Sequence, residues 1–221
     1  PSNPICIHHH DLLIQDKQTL LGLIKSCRTH QDLPKARSIH SQMMRICSFL
    51  DDLHINNALL SMYARCGAFE EAKKVFDELP IQDVVSWNAL IAGYIKQRQV
   101  HEALQCLERM ESEGFSPDVV TFICALKACG STETIEKGKQ FHNEILGNGL
   151  LEKDIALGNA LVDMYAKLGV LPKAQQVLDE LPVRDLVSWN ALIAGYVQQR
   201  LYYEALYCFE RMQNEGLSPD E

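Results

Sequence analysis

The feature that most constrains the fold is a ten-residue stretch that occurs twice. Residues 85–94 read VSWNALIAGY, and the same ten letters return at 187–196, which is 102 positions later. The correspondence extends further, because NAL at 57–59 returns at 159–161 at the same offset. A fixed internal period is typical of repeat proteins, in which each repeat buries its apolar face on its neighbours. Nearly the whole chain therefore consists of two copies of a 102-residue block.

The composition narrows the classes of protein that the chain can belong to. Hydrophobic residues make up 47% of the chain, as in folded globular proteins. No apolar run approaches the roughly 18 residues of a transmembrane helix, so we expect no membrane span. The net charge of −8 disfavours duplex DNA and anionic membranes, which bind through long-range attraction. It leaves other nucleic acids open, because screening over about 8 Å makes the local placement of charge decisive.

The eight cysteines favour buried free thiols over disulfides. Cys27 and Cys129 occupy the same place in the two blocks, and the others are scattered through helical patterns. This distribution is typical of a protein in a reducing compartment.

From Lys17 the chain divides into repeats that each end in aspartate. Their lengths are 36, 31 and 35 residues, and then 36, 31 and 35 again. The repeats span 17–52, 53–83, 84–118, 119–154, 155–185 and 186–220. Residues 1–16 match no repeat and are interpreted as an N-terminal extension.

Each repeat is predicted to contain two helices. Apolar residues recur at helical spacing in both halves of a repeat. Gly67 marks the break between the helices of one repeat, and Gly114 with Pro117 ends the second helix of another. We therefore expect an all-α chain of helix-turn-helix repeats, which is an α-solenoid.

The repeats resemble those of the pentatricopeptide repeat family, in particular the plant subclass in which long, short and ordinary repeats alternate. VVSWNALIAGY at 84–94 with GFSPD at 114–118 resembles the ordinary repeat, and NALLSMYARCG at 57–67 resembles the short one. KAC at 127–129 with GKQFH at 138–142 resembles the long one. The resemblance covers residues 17–220 and implies a right-handed α-solenoid.

The resemblance implies binding of single-stranded RNA, with one nucleotide per repeat read by the fifth and the last residue of the repeat. These pairs are Asn57 with Asp83, Asn88 with Asp118, Asn159 with Asp185, and Asn190 with Asp220. The family preference for this pair is uracil, with cytosine tolerated. An amide offers a donor and an acceptor and a carboxylate only acceptors, which suits a pyrimidine edge. The residues alone leave an alternative open, since Asn in a first turn and Asp before a helix are also ordinary helix-start residues.

The resemblance also implies side chains that hold the base and the phosphates. The second residue of a repeat sandwiches the base, and Val85, Val120 and Val187 fit that role. His54 and Ala156 depart from it. The expected phosphate contacts, at the thirteenth residue, are Arg65, Lys96 and Lys167. The alternative is that these cations are solvated charges near a helix C-terminus.

The long repeats do not fit the pairing pattern. Their fifth residues are Leu21 and Ile123, which cannot form a hydrogen bond with a base. These repeats are predicted to space the RNA or to bind a protein partner. With the N-terminus toward the 5′ end, the predicted target is any-U-U-any-U-U. A rival function is that of a protein-interaction scaffold, which the acidic charge and these apolar residues favour.

We expect no enzymatic activity, metal or cofactor in this chain. Many relatives with alternating repeat lengths direct C-to-U editing in mitochondria or chloroplasts, and some carry a deaminase-like zinc domain. That chemistry needs an H-x-E and a C-x-x-C motif. An H-x-E occurs at His142, but the corresponding His40 has no glutamate two residues on, and no C-x-x-C exists in the sequence. We therefore expect a recognition module, with targeting peptide and any catalytic domain outside this sequence.

Overall fold

The computed structural model describes residues 16–46, 52–132 and 134–218. Within these ranges the chain forms twelve α-helices and one short 3-10 helix, with no strand. None of the described helices is both long and apolar enough to cross a bilayer. The predicted N-terminal extension, apart from Asp16, lies outside the described residues. The all-α prediction is confirmed for the described part of the chain.

The helices follow one another in pairs, and the first helix of each pair begins at the first residue of a predicted repeat. The first helices are α1 (Lys17–Ser26), α3 (Leu53–Cys66), α5 (Val84–Lys96), α7 (Val119–Thr132), α9 (Ile155–Lys167) and α11 (Leu186–Gln198). The second helices are α2 (Leu33–Met43), α4 (Phe69–Asp77), α6 (Val100–Ser112), α8 (Ile135–Gly147), α10 (Leu171–Glu180) and α12 (Tyr202–Asn214). The 3-10 helix, His30–Asp32, precedes α2.

The chain divides into two compact parts, residues 1–81 and 82–221. In the first part, α1 packs on α2 and α3, and α3 packs on α4. In the second part, α5, α7, α9 and α11 pack against one another in succession, and each packs on the second helix that follows it. Each repeat thus buries its apolar surface on adjacent repeats of the same part.

An aspartate fixes the start of each first helix. Its side chain accepts a hydrogen bond from a backbone N–H in the first turn, as expected of an N-cap, and its charge interacts favourably with the helix dipole. The acceptors and donors are Asp16 and Thr19, Asp52 and Ile55, Asp83 and Ser86, Asp118 and Thr121, Asp154 and Ala156, and Asp185 and Ser188. The last residues of five predicted repeats are therefore the N-caps of the repeats that follow them.

In the short and ordinary repeats, the turn between the two helices contains a residue with positive φ. Gly67 and Gly169 have φ values of 76° and 72° in the two short repeats, where the sequence predicts a break. In the two ordinary repeats the same turn contains Arg98 and Arg200, with φ values of 59° and 61°. The glycine breaks are confirmed, whereas the sequence has no signal for the two arginines.

Corresponding residues of the two blocks make the same core contacts. Trp87 and Trp189 are fully buried. The guanidinium carbons of Arg109 and Arg211 lie 5.1 and 5.2 Å from the centroids of these two rings. Cation–π contacts of this kind contribute about 0.5–1 kcal/mol at exposed sites. The repeated sequence thus produces repeated packing.

Helices α9 and α11 approach each other closely at Gly195. A Cβ on this residue would lie 2.8 Å from the Cβ of Ala166 and 3.2 Å from its Cα. The second of these atoms belongs to the backbone, so a larger residue could be accommodated only if a helix moved. Glycine at this position therefore sets the short distance between the two helices.

Replacing Gly195 with alanine should lower the free energy of unfolding by about 1–2 kcal/mol, because overpacking outweighs the better helix propensity of alanine. Urea denaturation of the purified chain measures this change. The matched control is Gly22→Ala in α1, where no atom lies within 4 Å of the added Cβ. The control should raise stability by about 0.5–1 kcal/mol. A gain of stability in Gly195→Ala would contradict the close approach.

Candidate nucleic-acid interface

The four predicted base-reading asparagines occupy equivalent places on four first helices. Asn57, Asn88, Asn159 and Asn190 are the fifth residues of α3, α5, α9 and α11. Asn57 and Asn88 are buried, Asn159 is half-buried and Asn190 is exposed. A buried amide needs hydrogen-bond partners, and these partners define the chemistry of the site.

The amide of Asn88 is held at both ends. Its Nδ2 donates to Oδ1 of Asp118 over 3.0 Å, and its Oδ1 accepts from the hydroxyl of Thr121 over 2.6 Å. Partial burial acts to raise the pKa of Asp118, but hydrogen bonds from Thr121 and Asn88 outweigh it and hold that pKa below its ordinary value. At neutral pH the site is therefore an ionised carboxylate bound to a neutral amide.

The amide of Asn159 is held at one end. Its Nδ2 donates to Oδ2 of Asp185 over 3.0 Å, while Oδ1 of the same aspartate accepts the backbone N–H of Ser188 over 2.9 Å. Oδ1 of Asn159 is buried and accepts no hydrogen bond from the residues that the structure describes. Asp185, like Asp118, thus caps one helix and binds the asparagine of the preceding repeat.

The residues of the other two predicted pairs are located one at a time. Asn57 lies on α3 in the first part of the chain, and Asp83 caps α5 in the second part. Asn190 lies in the first turns of α11, and Asp220 is outside the described residues. Whether these residues act as pairs stays a prediction.

The predicted stacking valines are exposed beside the amide–carboxylate pairs. Val85, Val120 and Val187 are 55%, 51% and 60% exposed. Val85 lies on α5 less than one turn before Asn88, and Val120 lies between Asp118 and Thr121, which both bind Asn88. The Asn88–Asp118 pair therefore has an exposed aliphatic side chain on each side.

The Asn159–Asp185 pair has a smaller aliphatic side chain on one side than the Asn88–Asp118 pair has. Ala156 occupies the position on α9 that corresponds to Val85 on α5, and Val187 occupies the position that corresponds to Val120. A base at this pair would have less aliphatic surface to contact than a base at Asn88.

The three predicted phosphate-binding cations have different surroundings. Arg65 donates to the backbone oxygens of Ile24 and Cys27 over 3.3 and 3.4 Å, so two of its five donors cap the C-terminal end of α1. Lys167 is exposed and forms an ion pair of 2.6 Å with Asp163. Lys96 is exposed at the end of α5.

Lys96 also lies on the same side of its helix as two residues predicted to contact the base, Val85 and Asn88. At about 100° per residue, Val85, Asn88 and Lys96 fall within roughly 80° of one another around the axis of α5. Lys96 is displaced from Asn88 by about 12 Å along that axis. This separation would let a base and a phosphate contact the same helix.

The fifth residues of the long repeats are apolar and partly covered. Leu21 on α1 and Ile123 on α7 are half-buried. Their predicted roles, spacing of RNA or binding of a protein partner, stay predictions.

The histidine of the H-x-E motif belongs to the core. His142 is 3% exposed, and its Nδ1 lies 3.0 Å from the hydroxyl of Tyr165. His40 and Tyr63 form the same contact at 2.9 Å, while Glu144 is exposed. Among the described residues, no group of three or more His, Cys, Asp or Glu side chains could hold a metal ion. The six described cysteines are free thiols.

Sequence reasoning missed Thr121 as a member of the site. It is completely buried, and its hydroxyl contacts both Asn88 and Asp118. The available signal was its position three residues after a capping aspartate, where Ser86 and Ser188 also occur. That signal predicts a helix start and gives no indication of a bond to the preceding repeat.

Comparison with known families decides what kind of repeat this is. Models described as "PPR repeat family" match residues 82–131 and 184–221, and models described as "PPR repeat" match 57–82 and 159–186. Together these matches cover more than half of the chain. The chain belongs to the pentatricopeptide repeat family.

Curated members of the family from Arabidopsis thaliana are similar over most of the chain. Pentatricopeptide repeat-containing protein At5g16860 is 37% identical over 91% of this chain and 24% of its own length. Pentatricopeptide repeat-containing protein At3g24000, mitochondrial, is 37% identical over 92% of this chain and 32% of its own length. The chain thus spans about a quarter to a third of the relatives that it matches.

The fold is also that of a solved pentatricopeptide repeat protein. The crystal structure of PPR10 in complex with an 18-nucleotide psaJ RNA element matches with a TM-score of 0.77 and 18% identity. The match covers 93% of this chain and 31% of PPR10. The prediction of an all-α helical repeat solenoid is therefore confirmed.

The pKa of His142 gives a test of its place in the core. Loss of hydration on burial lowers this pKa from its ordinary value of 6.5, so folding favours neutral His142. Its contribution to stability is fully present above pH 6.5 and is lost as the pH falls toward the folded-state pKa. Between pH 7 and 5, His142→Asn should therefore show a smaller fall in the free energy of unfolding than the unmodified chain. Urea denaturation at several pH values measures both curves.

The control for this test is Tyr165→Phe, which removes the hydroxyl partner and leaves the histidine buried. It should lose stability at every pH and keep the pH dependence. An unchanged pH dependence in His142→Asn would contradict the assignment of this histidine to the core.

Proposed function

We propose that this chain is a recognition module that binds single-stranded RNA and prefers uridine. The observation that supports this most directly is the asparagine–aspartate pair, formed by Asn88 with Asp118 and by Asn159 with Asp185. Exposed valines stand beside both pairs. Membership in the pentatricopeptide repeat family and the similarity to a PPR10 structure that contains RNA support the same proposal.

The pair suits the polar edge of uracil. An asparagine Nδ2 carries two protons. In both pairs one of them is donated to the aspartate, and the other can be donated to a carbonyl oxygen of the base. The carboxylate accepts, directly or through water, the proton on N3 of uracil. Cytosine has a lone pair on N3 instead, which a nearby carboxylate repels, so uracil is the better ligand.

The aliphatic neighbours supply the remaining contact with the base. A base between Val85 and Val120 would cover apolar surface that is now in water, and this removal of apolar surface from water is favourable at about 25 cal/mol per Å². The contact is insensitive to sequence, because every base has two flat faces. Base identity is then read only by the amide and the carboxylate.

The binding is expected to be weak for a chain of this size. Stacked bases contribute on the order of 1–3 kcal/mol each, and ordering the RNA strand offsets part of this. The net charge of −8 adds long-range repulsion of the phosphates. Lys96 and Lys167 provide local attraction, and exposed ion pairs such as that of Lys167 with Asp163 are weak enough to be exchanged for a phosphate. A dissociation constant in the micromolar range follows.

The biological context is a proposal about the longer protein. The alternation of repeat lengths resembles that of factors for C-to-U editing, so we propose that this chain selects an organellar transcript for editing. Some similar proteins have names that state mitochondrial or chloroplastic, which supports either organelle. The described residues form repeats only, so this chain would contribute target choice and no chemistry.

The RNA target can be tested by fluorescence anisotropy with labelled hexamers. An RNA of the form any-U-U-any-U-U should bind at least tenfold more tightly than the same RNA with purines at the four U positions, since a single misfitting base already costs about 1–3 kcal/mol. The double variant Asn88→Thr with Asn190→Thr should lose most of this preference. The matched control is Asn143→Thr, which changes an exposed asparagine on the second helix α8.

Equal affinity for both hexamers would remove the uridine preference. Absence of RNA binding by a folded chain would instead favour a protein-interaction scaffold, which the acidic charge and the apolar residues Leu21 and Ile123 support.

A further inference from the structure

We propose that Thr121 is a positioning residue that fixes the amide of Asn88, so that this repeat discriminates uracil from cytosine more strongly than the repeat of Asn159. The inference rests on the proposed RNA-binding function. It adds a residue outside the two reading positions of the repeat, and that residue belongs to the following repeat.

The hydroxyl of Thr121 has one proton and two nearby acceptors. Its Oγ1 lies 2.6 Å from Oδ1 of Asn88 and 2.9 Å from Oδ1 of Asp118. The aspartate oxygen already accepts the backbone N–H of Thr121 and the Nδ2 of Asn88. The asparagine oxygen has the shorter contact and is therefore where the proton is donated. The Oγ1 in turn accepts the backbone N–H of Asp118 over 3.1 Å, which fixes the hydroxyl itself.

Asn88 donates one of these hydrogen bonds and accepts the other, and together they fix the orientation of its amide. A flip of the amide would place its carbonyl oxygen against the carboxylate of Asp118, which is repulsive. It would also break the short hydrogen bond that Oδ1 accepts from Thr121, whose hydroxyl would turn to Asp118 instead. Asn88 consequently presents the second Nδ2 proton as a donor, and its oxygen is already bonded.

The repeat of Asn159 lacks the hydrogen bond that corresponds to the one from Thr121 to Asn88. Ser188 occupies the position of Thr121, but its hydroxyl donates to the backbone oxygen of Asp185 over 2.9 Å. Oδ1 of Asn159 is left as a buried acceptor without a donor among the described residues. A buried acceptor without a partner is unfavourable. The bond to Asp185 is thus the single side-chain hydrogen bond that orients this amide among the described residues, where Asn88 has two.

The two repeats therefore offer different chemistry to a pyrimidine. Asn88 offers a donor, which matches the carbonyl oxygens of uracil. Asn159 offers a donor in the same way, but it can turn its oxygen toward a base at the cost of one hydrogen bond, to Asp185, and that acceptor matches the exocyclic amino group of cytosine. The ratio of uracil to cytosine affinity should be larger at the nucleotide facing Asn88 than at the nucleotide facing Asn159.

The experiment measures this ratio at each nucleotide separately, with the full chain and hexamers in which one U at a time is replaced by C. In the unmodified chain the ratio at the Asn88 nucleotide should exceed that at the Asn159 nucleotide by about fivefold, the effect of one hydrogen bond. Thr121→Val should reduce the ratio at Asn88 to the lower value and leave the ratio at Asn159 unchanged. Thr121→Ser, which retains a hydroxyl, should keep it high.

The outcomes separate this inference from the proposed function. Equal ratios at the two nucleotides in the unmodified chain, or a ratio unchanged by Thr121→Val, would overturn the role of Thr121 while RNA binding persists. The first of these measurements needs no variant, so the inference stays testable even if Thr121→Val does not fold. Loss of uridine preference at every nucleotide would overturn the proposed function itself.

Discussion

The rest of the structure depends on one hydrogen bond, which an aspartate carboxylate accepts at the start of each first helix. It satisfies a backbone N–H that would otherwise lack a partner, and it determines which residue is first in the helix. The positions of the second and fifth residues follow from that start, so these residues occupy equivalent places in the first turns of their own first helices. In Asp118 and Asp185 the carboxylate also binds the asparagine of the repeat before it.

Helix capping and the proposed base recognition would therefore be two uses of one side chain. A carboxylate has two oxygens with about four acceptor sites. Asp185 uses Oδ1 for the helix and Oδ2 for Asn159. A substitution of this residue would affect the start of α11 and the orientation of a reading amide together. For the same reason, a loss of RNA affinity in such a variant has to be measured beside its stability.

The sequence predicted the features that depend on local chemistry and missed those that depend on contacts across repeats. Helix starts follow from Asp before an apolar stretch, and breaks follow from residues such as Gly67. Arg65 and Thr121 were beyond this reasoning, because a cation near a helix end and a threonine in a first turn look ordinary until the neighbouring helix is placed. Comparison with His40 indicated from the sequence that the H-x-E at His142 is not a repeated motif, but it gave no sign of the contact that each histidine makes with a tyrosine.

The short distance at Gly195 has a consequence for the shape of any bound strand. Packed helices have axes about 8–10 Å apart, and a glycine contact places α9 and α11 toward the lower end of this range. Successive bases in a stacked strand are only about 3.4 Å apart. A strand that gave one nucleotide to each helix pair would therefore have to be pulled open until its bases no longer touched. The proposed ligand of such a surface would be an extended chain, and a hairpin or duplex would first have to be melted.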